Sequence, residues 1–218
     1  MAHAKIVLAS HNKGKLKELR EILRGRIDGL DVDTQVVDAS SVNAPDVPET
    51  GVTFAENSLL KARAVAEATG LVAIADDSGL SVDVLNGAPG IFSARWAGSH
   101  GDDSANLNLL LAQLSDIPAE HRSAKFCCAA SVASPNGFEA VEYGELPGEL
   151  LTAPAGEGGF GYDPILRPVE LNGENALYEG QYAGKSCAEI PAEIKNSISH
   201  RARAFEALIP QIAAALVS

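Results

Sequence analysis

Asp76 and Asp77 follow the apolar run Leu71-Val72-Ala73-Ile74-Ala75 and precede Ser78 and Gly79. Adjacent ionised carboxylates repel each other and lose solvation when buried, so a divalent cation is their natural partner. Mg2+ takes few protein carboxylates and completes its shell with water and substrate phosphate oxygens. A carboxylate that reaches a water molecule can also act as a general base. Glu49, in the sequence Glu49-Thr50-Gly51 just ahead of a predicted helix, is a further hard oxygen ligand.

Three other stretches offer chemistry. Ser10-His11-Asn12-Lys13-Gly14-Lys15 lies between a predicted strand and a predicted helix. Backbone N–H groups and the helix dipole make such a place an anion site, to which Lys13 and Lys15 add charge. The spacing matches neither GxxxxGK[ST] nor GxGxxG. In Gly156-Glu157-Gly158-Gly159-Phe160-Gly161-Tyr162-Asp163, glycines permit close backbone approach and Phe160 and Tyr162 offer flat faces for a base. Asp163 could accept hydrogen bonds from a purine edge. Ser199 is a predicted N-cap, which places His200 and Arg201 in the first helical turn, with Lys195 upstream. The helix dipole disfavours cations there, and a bound anion or an electronegative base edge would relieve the conflict. Read singly, each pattern also fits a structural role: a capped helix with solvated lysines, a solvated Asp–Ser turn, a surface glutamate, a glycine-rich hairpin over core aromatics, an exposed basic cluster.

These residues need elements to hold them. Residues 5–9 read as a buried strand, and Leu16, Leu19, Ile22 and Leu23 mark an amphipathic helix. Alternation over Asp31–Asp38 predicts a second strand, and Pro45, Pro48 and Gly51 predict a loop over 40–51. Thr53 and Glu56 form a capping-box pattern, with Gly70 as the stop of the helix they open. The acidic pair is predicted in a turn, between the strand ending at Ala75 and a short strand over Leu80–Val84. A helix over Asp103–Leu114 is followed by paired strands at 123–133 and 138–146 around Pro135-Asn136-Gly137. Alternating helices and strands with a late hairpin imply an α/β fold with a mixed sheet. No linker interrupts it, so residues 1–218 read as one domain.

Composition narrows the function. The 218 residues are 46% hydrophobic, enough for a real core, and no apolar run is long enough for a membrane span. The first fifteen residues carry no signal-peptide pattern. A net charge of −12 argues against broad contact with nucleic acid or an anionic membrane, while leaving room for a small basic pocket. Three cysteines without metal-like spacing fit core thiols in a reducing cytoplasm.

The order of the motifs adds what none carries alone. SHNKGK, ETGVTFAENSLLKARA, ADDSGLSVDVLNGAPGIFSARWAG, GEGGFGYDPI and KNSISHRARA resemble the inosine triphosphate pyrophosphatase family over nearly the whole chain. The resemblance implies Mg2+-dependent hydrolysis of dITP, ITP and XTP to monophosphate and pyrophosphate, which cleanses the nucleotide pool. It implies a two-lobed α/β fold around a long mixed β-sheet with flanking helices, a nucleotide cleft between the lobes, and a homodimer. Residue by residue, Ser10, His11, Asn12, Lys13, Gly14 and Lys15 match the triphosphate-binding segment, with Ser10 where Thr is commoner. Asp77 matches the proton acceptor and metal ligand, Ser78 a substrate contact, and Glu49 a second metal carboxylate. Phe160, Gly161, Tyr162 and Asp163 match the segment that holds the base; Lys195, His200 and Arg201 match the remaining nucleotide contacts. The stretch Pro168–Gly184 is longer than the family's usual pattern. Rival readings are a Maf-like pyrophosphatase of modified pyrimidine triphosphates and a nucleotide sensor without catalysis.

Overall fold

Ile6-Val7-Leu8 has no polar side chain, and the strand it forms, β1 (Ile6–Leu8), is wholly buried. The chain then turns into α1 (Lys13–Leu23), where Asn12 caps the helix by accepting from Gly14 N and Lys15 N. The computed structural model describes residues 4–171, 174–175 and 180–217. The predicted strand over Asp31–Asp38 is divided: Asp31 caps a single helical turn, α2 (Val32–Gln35), and only β2 (Val36–Asp38) is extended. An Asp side chain that accepts from Asp33 N stabilises a turn more readily than a strand start.

α3 (Phe54–Thr69) has the predicted ends. Thr53 accepts from Glu56 N, and Gly70 closes the helix in the left-handed region at φ 68°. The return arm of the box reaches one residue further back than expected, with Glu56 accepting from Val52 N. Next comes β3 (Val72–Val82), and here the sequence reading is corrected. No turn separates two strands: Asp76, Asp77, Ser78 and Gly79 lie inside one continuous strand. Gly79 is a close-approach glycine, since a Cβ there would lie 2.5 Å from Gly90 O and from Ser93 Oγ. The chain continues through α4 (Asp103–Gln113), β4 (Ser123–Ala133) and β5 (Glu139–Leu150), with a Ser134–Phe138 turn between the last two. Then follow β6 (Leu166–Pro168), β7 (Glu170–Leu171), β8 (Glu174–Asn175), α5 (Ala192–Ile198) and α6 (His200–Val217). The unusual segment Pro168–Gly184 lies partly outside the described residues.

The main sheet has the order β2-β1-β3-β4-β5-β6; β7 and β8 form a separate antiparallel pair. β1 runs parallel to β2 and to β3, whereas β5 and β6 are antiparallel, so the sheet is mixed. Contacts divide the chain into two compact units. The first holds residues 1–77, 128–144 and 201–218; the second holds 78–127 and 145–200. In the first unit Ile6, Leu8, Val72 and Ile74 pack against α1 and α6, through Leu16, Leu19, Phe205 and Leu208. Val7, Ala73 and Ala75 pack on the opposite face against Ala62, Val65 and Ala66 of α3. The second unit is built around Leu80, Leu110, Phe126, Leu146, Ile165 and Leu166. Cys127, Cys128 and Cys187 are all free thiols, and burial pushes Cys187 up to about 12. Among the described residues no helix is long and apolar enough to cross a membrane.

Candidate functional site

β1 ends at Leu8, opposite Ile74, so β3 projects beyond its neighbour at Asp76 and Asp77. α1, which follows β1, packs on one face of the sheet, and α3, which precedes β3, packs on the other. That divergence at the carboxyl ends of adjacent parallel strands is where open α/β sheets bind ligands. Side chains alternate along a strand, so the two acids leave on opposite faces. Asp76 continues the Val72–Ile74 face and Asp77 the Ala73–Ala75 face. The repulsion anticipated between neighbours is reduced by this geometry.

Asp76 is buried, 4% exposed, among cations. Lys15 Nζ donates to both of its oxygens, at 3.0 and 2.9 Å, and Arg201 Nε donates to Oδ2 at 3.1 Å. Glu18 lies 3.7 Å from the far side of the Arg201 guanidinium. Burial alone would raise the Asp76 carboxyl; Lys15 and Arg201 outweigh it and hold the group well below the usual carboxylate range. Both oxygens of Asp76 accept from cations, so the carboxylate holds Lys15 and Arg201 in place.

Asp77 has different company. Its Oδ2 accepts from Asn57 Nδ2 at 3.0 Å. Lys61 Nζ bridges the vicinity, donating at 2.7 Å to Glu49 Oε1 and at 2.7 Å to the Asp76 carbonyl. Burial raises the Asp77 carboxyl; the Lys61 charge opposes this, the Glu49 charge adds to it, and the net shift is upward. Asp77 and Glu49 therefore sense each other. This is a carboxylate pair short of positive charge, which fits Mg2+ in its usual mode of one or two protein carboxylates. Among the described residues no three His, Cys, Asp or Glu side chains form a metal cage, so the remaining shell would have to come from water and phosphate.

The Ser10–Lys15 segment is tightly organised. Ser10 Oγ accepts from Asn12 N at 3.2 Å, and the Asn12 side chain accepts from Gly14 N and Lys15 N. Both ring nitrogens of His11 are used by the protein, at 2.9 Å from Ser40 Oγ and 2.9 Å from Asp46 Oδ1. An imidazole that accepts from the serine and donates to the aspartate satisfies both contacts in its neutral form. His11 thus ties the segment to the Pro-rich loop through its ring. Lys13 is exposed.

The second unit gathers the other predicted residues. Phe160 is 63% exposed, and Lys195 Nζ sits 4.8 Å from its ring centroid. Asp163, buried, is paired with Lys195 and accepts from Phe160 N at 2.9 Å. Gly161 N donates to Asp103 Oδ2 at 2.8 Å. Tyr162 offers no stacking face, contrary to the sequence reading. Its ring is core, its hydroxyl donates to Ser93 O at 2.9 Å, and burial raises its pKa. The His200 ring stacks on Phe126 at 5.1 Å. Ser78 is half-buried on β3. His200 falls in the second unit and Arg201 in the first. Arg201 keeps company with Asp76 and Lys15.

Sequence reasoning passed over Asn57 and Lys61 and left the role of Asp76 open. A signal existed for the first two. They lie at i and i+4 on α3, each one residue ahead of a buried small residue, Ser58 or Ala62. Polar residues at the border of a buried stripe face whatever the stripe packs beside.

Residues 6–211 match the model of the Ham1 family. The dITP/XTP pyrophosphatase of Streptomyces coelicolor is 60% identical over 208 residues, covering 95% of this chain and 96% of that protein. The dITP/XTP pyrophosphatase of Corynebacterium efficiens is 48% identical over 210 residues, covering 96% and 97%. Among solved structures, a HAM1 protein from Coxiella burnetii superposes with a TM-score of 0.80 at 36% identity, covering 97% of this chain and 99% of that one. A nucleoside-triphosphatase described as a dITP/XTP pyrophosphatase, from Mycobacterium abscessus, gives 0.73 at 46% identity, covering 94% and 99%.

Proposed function

This chain belongs to the Ham1 family, and from that premise we propose that it is a nucleoside triphosphate pyrophosphatase. Its substrates in this reading are dITP, ITP and XTP; its products are the nucleoside monophosphate and pyrophosphate; its role is to remove these nucleotides from the pool. The observation that carries the chemistry is the divided acid pair at the open end of β1. Asp77 has the environment of a proton acceptor, and Asp76 holds two cations where an anion would need them.

The roles follow from the contacts. Asp77 takes the proton of the water that attacks the α-phosphorus, the bond to the bridging oxygen breaks, and pyrophosphate leaves. Lys15 and Arg201 offset charge on the triphosphate. An ammonium has three N–H groups, and the two bonds to Asp76 leave one for a phosphate oxygen. Asp77 and Glu49 would hold Mg2+, which when bound neutralises charge on the phosphate oxygens. Lys61 keeps the Glu49 carboxylate near Asp77. The exposed Phe160 ring is the base platform, and Lys195, fixed by Asp163, is the donor beside it. A donor there suits the O6 of hypoxanthine or xanthine and not the amino group of adenine. An unpaired buried polar group costs about 1–3 kcal/mol. The reading includes a cytoplasmic homodimer, for which the family resemblance is the support and sedimentation the test.

Pyrophosphate release from dITP, ITP, XTP, dGTP, dATP, dUTP and dTTP, with and without Mg2+, tests the proposal. Release from the inosine and xanthosine nucleotides that requires Mg2+ is expected. Preference for dUTP or dTTP, orthophosphate as the product, or binding of dITP without turnover would overturn it.

A further inference from the structure

Asn57 is completely buried in the first turns of α3. Asparagine is a modest helix former, and a buried amide is costly unless its hydrogen bonds are made. Here they are made to two different parts of the first unit. Oδ1 accepts from Gly51 N at 2.8 Å, and Nδ2 donates to Asp77 Oδ2 at 3.0 Å. A backbone N–H can only donate, so the contact with Gly51 fixes which end of the amide is oxygen. The N–H end must therefore face Asp77.

The loop side is built to bring Gly51 this close. A Cβ at Gly51 would lie 2.6 Å from Glu56 Cβ and 2.8 Å from Asn57 Oδ1, so another residue would push the loop off the helix. Glu56 binds Val52 N and Lys61 binds Glu49, so three α3 side chains grip residues 49–52. Asn57 also donates to Asp77 and so ties the supports of the two carboxylates together.

We propose that Asn57 is the positioning residue that sets the orientation of the Asp77 carboxylate and locks it to the loop carrying Glu49. The inference rests on the pyrophosphatase reading above. Asn57 does not meet substrate; it acts through Asp77, in the way that a third group orients the base in other hydrolytic sites. With Oδ2 accepting from the amide, the carboxylate plane is biased to one orientation, which sets where Oδ1 points.

Asn57→Asp tests this directly, because it keeps the shape and an acceptor for Gly51 N but replaces the donor with an oxygen facing Asp77. The expected result with dITP and Mg2+ is a fall in kcat of about 10–100-fold, the range for loss of a group that orients a ligand, with KM within about threefold. Gly51→Ala is the companion variant. It replaces no reacting group but pushes the loop off α3, which displaces the amide and shifts Glu49 with it, so a fall in kcat is expected. A merely structural Asn57 would lower Tm and leave kcat per folded molecule at the wild-type value. That result in Asn57→Asp, or in Gly51→Ala should Asn57→Asp not fold, overturns the proposal. Wild-type protein that releases no pyrophosphate overturns the pyrophosphatase reading, and this inference with it; a wild type that turns over beside variants of unchanged kcat overturns this inference alone.

Discussion

The two faces of β3 treat the same side chain in opposite ways. On the α1 and α6 face, Asp76 meets an ammonium and a guanidinium, and its carboxyl is held below the usual range. On the α3 face, Asp77 meets an amide donor and the charge of Lys61, with the Glu49 charge opposing, and burial leaves its carboxyl raised. Burial penalises the charge on both. What decides the sign is how many cations compensate for it. Neighbouring acids with divergent titration are the pattern by which a site divides roles, one group fixed in its charge and the other able to exchange a proton. In the proposed reading, this contrast makes Asp76 the anchor and Asp77 the group that exchanges a proton.

Exchanging each acid for its amide tests that assignment most severely. Asp77→Asn should fold and lose about 10²–10⁴-fold in kcat for dITP, the usual span for a general base. Near-normal turnover would remove Asp77 from the chemistry. Asp76→Asn should act first on stability. Removing one member of a buried ion cluster leaves the others uncompensated and costs about 3–5 kcal/mol, read as a lower denaturant midpoint at constant m. If Asp76→Asn lost turnover with full stability instead, the roles of the two faces would be exchanged.

That contrast was only half legible in the sequence. The acids, Lys15 and Arg201 stand out by type and order. β1, α3 with Thr53 and Gly70, and the Ser134–Phe138 turn follow from local rules. The straight path through Asp76–Gly79 does not. Asp, Ser and Gly are turn formers, and local preference yields to a strand that runs on past the end of β1 with β4 as its other neighbour in the sheet. A turn would have put both acids in solvent; a strand sends them to opposite faces. Asn57 and Lys61 were hidden because one sequence cannot say what the edge of a helical stripe packs against. Tyr162 illustrates the converse, an aromatic that looked like a platform and is core.

A milder probe of the Asp76 face is Lys15→Ala. Asp76 keeps Arg201 as partner, so the fold should survive better than in Asp76→Asn. The loss is one charge-assisted contact to the triphosphate, worth about 1.5–3 kcal/mol, and it should appear mainly as a KM for dITP raised about tenfold or more. An unchanged KM would mean that Lys15 serves Asp76 alone.

The smallest effect, and the finest test of the comparison, is the pH dependence of stability in metal-free buffer. For Asp76 the folded value lies below the unfolded one, near about 4. Between the two values the unfolded chain binds more protons, so stability rises with pH there. Its contribution is complete above the unfolded value and is lost as pH falls through the folded one. For Asp77 the folded value lies above the unfolded one. In that window the folded chain binds more protons, stability falls as pH rises, and at neutral pH the ionised group is a net cost. Asp77→Asn should therefore melt at or slightly above the wild-type temperature at pH 7, with the difference shrinking towards pH 4. Asp76→Asn should melt well below wild type at pH 7 and approach it in strong acid, where the wild-type carboxylate is itself protonated. If Asp77→Asn were destabilised at pH 7 as Asp76→Asn is, Asp77 would have to be a compensated charge like its neighbour, and the two faces of β3 would differ in position but not in kind.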